Sequence, residues 1–201
     1  MAAPWEYPLD AMATSLEAGF ALDELYSWME GRMQSSKRPA LARLARLLAE
    51  AGTPYALIGG VAVQAHRSEP RTTLDIDVAL LERGSLPRER LRAAGFRETG
   101  QHEHSDNWVG PAGTPVQFTD DPALAGAVSR AIEFPLGKVG LPVIRVADLL
   151  HEKLRAGSDQ ARRRSKRLQD LADVQSLLEQ EPQLENELTA DEKALLDRLP
   201  R

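Results

Sequence analysis

Tyr55-Ala56-Leu57-Ile58-Gly59-Gly60-Val61-Ala62 and, a short gap later, Arg71-Thr72-Thr73-Leu74-Asp75-Ile76-Asp77-Val78-Ala79-Leu80 form the stretch on which the fold turns. Residues 55–58 are a short apolar run, which reads as a buried strand. It ends in a glycine pair, and residues 61–66 are compatible with a short helix. Residues 72–80 alternate. Leu74, Ile76 and Val78 fall on one face and Thr73, Asp75 and Asp77 on the other, as in a strand carrying its carboxylates along one side.

Toward the N-terminus, Leu41, Leu44, Leu47 and Leu48 predict an amphipathic helix stopped by Gly52. A break at 35–39 precedes it, and before that a helical pattern spans 13–33 with Ala18, Leu22, Leu25 and Met29 on one stripe. Residues 1–10, with Trp5 and Tyr7 between prolines, read as an irregular arm that docks its aromatics.

Toward the C-terminus, residues 87–94 predict a helix closed by Gly95. Trp108-Val109 and Val116-Gln117-Phe118 predict two short strands, and residues 141–144 another. Helices follow at 147–155 and 168–178, separated by the basic run 162–167. Leu168, Leu171, Val174, Leu177 and Leu178 form the core stripe of the second. Thr189 and Glu192 make a capping box for a last helix reaching 199. The expected fold class is α/β (α+β), a small mixed sheet flanked by helices. Residues 1–52 form an N-terminal arm and helices, 53–145 the core, and 146–201 a C-terminal helical region.

The composition narrows the function. A chain of 201 residues, 42% hydrophobic and 27% charged, is long enough for one well-buried core. Its net charge of -5 argues against a general nucleic-acid-coating role. Without cysteine it has no disulfide or thiolate metal site, and a reducing cytoplasm is expected. Residues 1–10 carry no signal-peptide pattern, and no apolar run is long enough for a membrane span.

Two aspartates at i and i+2 on a strand point the same way and repel each other, which raises the pKa of one unless a cation intervenes. Hard oxygen ligands of this kind favour Mg²⁺ or Mn²⁺ shared with phosphate oxygens. A bare Asp-x-Asp is more often two solvated acids. Here the pair follows a strand–Gly–Gly–helix unit, whose backbone N–H groups can approach phosphate closely.

Gly59-Gly60-Val61-Ala62, His66, Arg71, Thr73 and Asp75-Ile76-Asp77-Val78 together resemble the signature of the DNA polymerase β nucleotidyltransferase superfamily. The closest likeness is to its minimal bacterial branch, which includes abortive-infection nucleotidyltransferase toxins of toxin–antitoxin systems. Residues 91–96, 146–153, Lys166 and 170–173 extend the resemblance, which covers roughly 53–180. It implies that Gly59 and Gly60 hold an NTP triphosphate and that Asp75 and Asp77 bind Mg²⁺ or Mn²⁺ as catalytic acids. It also implies that Arg71, Thr73 and Lys153 contribute to nucleotide binding. The implied reaction moves a nucleoside monophosphate to an acceptor hydroxyl on RNA, a protein or a small molecule. A toxin–antitoxin partner protein is implied as well.

The chain departs from that pattern at the third acid, expected on a neighbouring strand. That position falls on Pro115 or Gln117, with Asp120 a few residues on. Losing a general base costs on the order of 10²–10⁴-fold. The alternative reading is therefore a nucleotidyltransferase fold that binds nucleotide or a partner without turnover. The loop 67–70 also replaces a shorter glycine turn. His102, His104 and Asp106 read better as a solvated turn than as metal ligands. His66 is either near the nucleotide or structural, Asp170 and Asp173 read as structural residues placed to pair with Arg163 or Lys166, and 162–167 reads as a solvated helix start or a phosphate-binding patch.

Overall fold

The computed structural model describes residues 15–29, 37–69 and 71–198. Strand β1 (Tyr55–Ile58) is buried at all four positions, as a continuous apolar run at the centre of a sheet should be. Its neighbours are β2 (Ile76–Leu80), antiparallel, and β7 (Val139–Val143), parallel. β5 (Pro115–Thr119) runs parallel to β2 on the other side. β3 (Arg97–Gln101), β4 (Ser105–Val109) and β6 (Ile132–Leu136) complete a seven-stranded mixed sheet in the order β3-β4-β5-β2-β1-β7-β6.

Helices cover the sheet. They are α1 (Ser15–Met29), α2 (Lys37–Glu50), α3 (Gly59–His66), α4 (Arg88–Ala93), α5 (Ala125–Ser129), α6 (Val146–Ser158), α7 (Arg164–Gln180) and α8 (Ala190–Leu196). The α2 leucines 41, 44 and 48 are fully buried, so the apolar period seen in the sequence is the face it packs with. Gly52 and Gly95 close their helices at φ +64° and +89°, a region that glycine enters without strain. Both hydrogen bonds of the Thr189/Glu192 capping box are present.

Several expectations need correction. In α1 the predicted stripe faces outward. Leu22, Leu25 and Met29 are exposed, while Leu16, Phe20 and Asp23 are buried. That helix is apolar on more than one side, and Asp23 is drawn inward by its ion pair with Lys37. Leu168 is exposed rather than core, although Leu171, Val174, Leu177 and Leu178 pack as expected. The acidic strand starts at Ile76 rather than 72, and Leu74 is 69% exposed. Thr73 in the preceding segment has its N–H bonded to Asp23 of α1 and its carbonyl to Lys37 of α2 instead of to a neighbouring strand. The edge strands β3 and β6 were not expected from the sequence: β3 has no apolar residue, and the alternation of Ile132, Phe134 and Leu136 in β6 is interrupted by Pro135. Residues 164–167 of the basic run are helical and 162–163 are not, since α7 begins at Arg164. The arm at 1–10 lies outside the described residues.

Candidate nucleotide and metal site

The site begins at the turn from β1 into α3. Ile58 pairs with Asp77 across β1 and β2, so the chain leaves β1 beside the acidic strand. Gly59 has φ +60°, and a Cβ there would strike the Asp77 carboxylate. A Cβ on Gly60 would strike the Thr73 hydroxyl and approach Arg71 to 2.9 Å. The two glycines are therefore required by close approach. No side chain caps α3, which leaves the N–H groups of its first turn for an anion.

Asp75 and Asp77 both line the cleft next to this turn. The Thr73 hydroxyl donates to Asp75 at 2.9 Å, and the Thr73 N–H donates to Asp23 at 3.3 Å. Lys37 donates to the Thr73 carbonyl at 2.6 Å while paired with Asp23. α1 and α2 thus clamp the segment that presents Asp75. Burial lowers the Lys37 pKa against the pull of Asp23. Burial, then the charges of Asp75 and Glu152, push the Asp77 carboxyl up to about 7.

The opposite wall comes from α6 and α7. Lys153 is buried and bonded to Asp170 at 2.7 Å and Asp173 at 3.1 Å. Arg71 makes a two-pronged contact with Asp173, at 2.8 and 3.1 Å, and Arg162 reaches Asp170 at 3.1 Å. The expected pairing of these aspartates with Arg163 or Lys166 is corrected. The fold brings Lys153 and Arg71 from outside α7, and they take the place of the partners nearby in sequence. Burial opposes the charge on Lys153, but Glu152, Asp173 and Asp170 outweigh it and hold its pKa above the ordinary lysine value. Glu152, which the sequence reading passed over, also lines the cleft. One of its oxygens is buried without a hydrogen-bond partner, and burial raises its pKa.

The cleft holds about 930 Å³, at the upper end of the range for small-molecule sites. Lys37, Arg71, Lys153, Arg162, Arg163 and Lys166 give it six cationic side chains, set among the carboxylates of Asp23, Asp75, Asp77, Glu152 and Asp170. Asp75 and Asp77 offer oxygen donors, and the Asp77 carboxyl is raised first by its burial and then by the like charges of Asp75 and Glu152. A pair of carboxylates completed by water and phosphate oxygens suits Mg²⁺ or Mn²⁺. Among the described residues, no group of three or more His, Asp or Glu is arranged to hold a metal by itself.

Gln117 is the direct partner of Asp77 across β2 and β5, so the neighbouring strand presents an amide at that place. Asp120 does not replace it, being paired with Arg83 at 2.8 Å. His66 is structural. Its Nε2 lies 2.7 Å from the Ile144 carbonyl and its ring meets Phe134 edge-on. Asp106 is buried between Arg83 and Arg88, which departs from a solvated turn, while His102 and His104 are exposed.

Residues 42–200 match the family described as "Nucleotidyl transferase AbiEii toxin, Type IV TA system". The chain belongs to this family. An antigenic nucleotidyltransferase-like protein from Paracoccidioides brasiliensis shares its fold over 80% of this chain and 88% of that one, at 19% identity and a TM-score of 0.52. ANT(2")-Ia in complex with adenylyl-2"-tobramycin does so over 82% and 99%, at 12% identity and a TM-score of 0.54. No curated protein matches the sequence. The AbiEii family and the nucleotidyltransferase fold agree with the resemblance carried by residues 59–78.

Proposed function

We propose that this AbiEii-family chain transfers a nucleoside monophosphate from an NTP to an acceptor hydroxyl. The observation that carries the reading is the Gly59–Gly60 turn pressed against Asp77 and Thr73, at the edge of a cleft with six cationic side chains. The triphosphate would meet the uncapped first turn of α3, with Arg71, Lys153 and the Thr73 hydroxyl contributing further contacts. Asp75 and Asp77 would hold Mg²⁺ or Mn²⁺, which when bound neutralises phosphate charge.

The acceptor oxygen would form a bond to the α-phosphorus as the bond to the bridging oxygen breaks and pyrophosphate leaves. Gln117 has no proton-accepting capacity, so the acceptor proton would pass to solvent. What remains is positioning and charge neutralisation. RNA or a protein is the proposed acceptor, and the toxin–antitoxin character of the family supports a dedicated partner protein. No helix among the described residues is long and apolar enough to cross a membrane, and a cytoplasmic site of action fits the use of NTPs.

The test is incorporation of α-labelled NTP with Mg²⁺ or Mn²⁺, lost in Asp75→Ala and Asp77→Ala. No transfer to tRNA, partner protein or small hydroxyl compounds with any NTP would overturn the proposal.

Two observations favour a second reading, a module that binds nucleotide without turnover. Gln117 stands where an acid would serve, and Arg71 and Lys153 are already paired with Asp173 and Asp170. That reading predicts thermal stabilisation by NTP and a stable partner complex, with no product formed.

A further inference from the structure

Two cavities meet at Asp75 and Asp77, and they differ in chemistry. The large one carries the cationic side chains. The other, about 240 Å³, lies over β3, β4 and β5. Thr99 and Asn107 supply polar side chains and Val109 apolar surface that the large cleft lacks, while Gln117 and Pro115, like the two acids, line both. Among the described residues, no lysine or arginine lines it.

Strand register builds this surface. Asp77 pairs with Gln117, Gln117 with Asn107, and Asn107 with Gly100, one straight row across four strands. Val116, Phe118, Asp106 and Trp108, the residues between, are buried on the opposite face. The sheet therefore presents an acid, two amides and then a glycine in line. Asn107 Nδ2 lies 3.2 Å from His102 Nε2, and the Thr99 hydroxyl donates to the Asn107 carbonyl at 3.1 Å.

We infer that this second cavity is the acceptor subsite and that it takes an uncharged, hydroxyl-bearing group the size of one sugar ring. The assignment rests on the transfer reading above. In-line displacement requires the incoming hydroxyl and the leaving pyrophosphate on opposite sides of the α-phosphorus. The lysines and arginines of the large cleft suit the pyrophosphate, so the acceptor enters from the side of the acid pair that has none. Amide side chains donate and accept, as hydroxyls do. A phosphate there would lie beside two acids with no counter-charge, which is unfavourable. The volume equals roughly eight waters, enough for a ring and its hydroxyls. Pro115, Gln117 and Thr99 are exposed, so a longer acceptor can extend to solvent.

The test uses the full chain with methyl β-D-ribofuranoside as a neutral probe and ribose 5-phosphate as a charged one, followed by saturation-transfer NMR. Binding of AMPCPP with Mg²⁺ is measured separately by calorimetry. The riboside is expected to bind wild type, to bind at least fivefold more weakly in Asn107→Leu and Gln117→Leu, and to resist displacement by pyrophosphate. Asn107→Leu should not alter AMPCPP affinity by more than twofold, which also shows that this variant folds, and an unchanged melting curve shows the same for Gln117→Leu. Ribose 5-phosphate binding should not depend on Asn107. A riboside that fails to bind, binds undiminished in both variants or is displaced by pyrophosphate overturns the subsite, as does a phosphate sugar held through Asn107. AMPCPP failing to bind while the riboside behaves as expected overturns the transfer reading instead.

Discussion

Gln117 faces Asp77 directly across the parallel β2–β5 pair, on the open side of the sheet. At this place an acid would share the cleft with Asp75 and Asp77, and an amide cannot take a proton. The consequence is chemical rather than structural, because Gln117 is exposed and packs against no core. Gln117→Asp should therefore raise transfer turnover, by on the order of 10²-fold or more if the acid acts as a general base. Steady-state incorporation of α-labelled NTP measures this. Unchanged turnover would show that the acceptor proton leaves by another route.

Gly59→Ala places a Cβ against the Asp77 carboxylate at a backbone φ of +60°. The strain should lower stability by about 1–3 kcal/mol. It should also remove the stabilisation that Mg²⁺ and NTP give. Thermal melts with and without ligand separate the two effects, and a variant still stabilised as fully as wild type would contradict the close approach.

Asp77 has a folded-state pKa of about 7 against an ordinary value of 3.8. Between those values the folded chain holds a proton that the unfolded chain has released. Stability from this group is thus present at low pH and is lost as pH rises toward 7. The metal-free protein should melt several degrees lower at pH 8 than at pH 5.5, and Asp77→Asn should flatten part of that slope. Mn²⁺ affinity should rise over the same window, because the cation displaces the proton. Glu152→Gln removes a charge facing Asp77, so the midpoint of that rise should move to lower pH. Calorimetry in two buffers of different ionisation enthalpy reads the proton release directly.

Asp173 joins Arg71 and Lys153 where all three are largely buried. Removing it leaves two cations sharing one side of the cleft, with Asp170 the remaining partner of Lys153. Asp173→Ala should cost about 3–5 kcal/mol, the range for breaking a buried ion pair. Urea unfolding checks it. A loss below 1 kcal/mol would mean that solvent reaches the cluster and screens it.

Local pattern carried much of this into the sequence reading. The apolar run 55–58, the glycine pair, the alternation from Ile76 onward and the leucine period of α2 all reappear as elements, because each depends on neighbours within a few residues. Pro135 hides the alternation of β6. The edge strand β3 was not legible, since its partner rather than its own composition makes it a strand. The outward face of α1 was misread for the same reason. Which apolar side of that helix is covered depends on where α2 and α3 lie.

Residues 55–80 by themselves determined that two glycines and two aspartates would be near one another, since strand, turn and strand leave little freedom over so short a span. Tertiary structure alone decided what surrounds them. It brought Lys37 and Asp23 to Thr73, Lys153 and Asp173 to Arg71, Glu152 into the field of Asp77, and Gln117 and Asn107 into register beside it. The contacts of Thr73 with Lys37 and of Arg71 with Asp173 join residues 36 and 102 positions apart, and no local propensity encodes them.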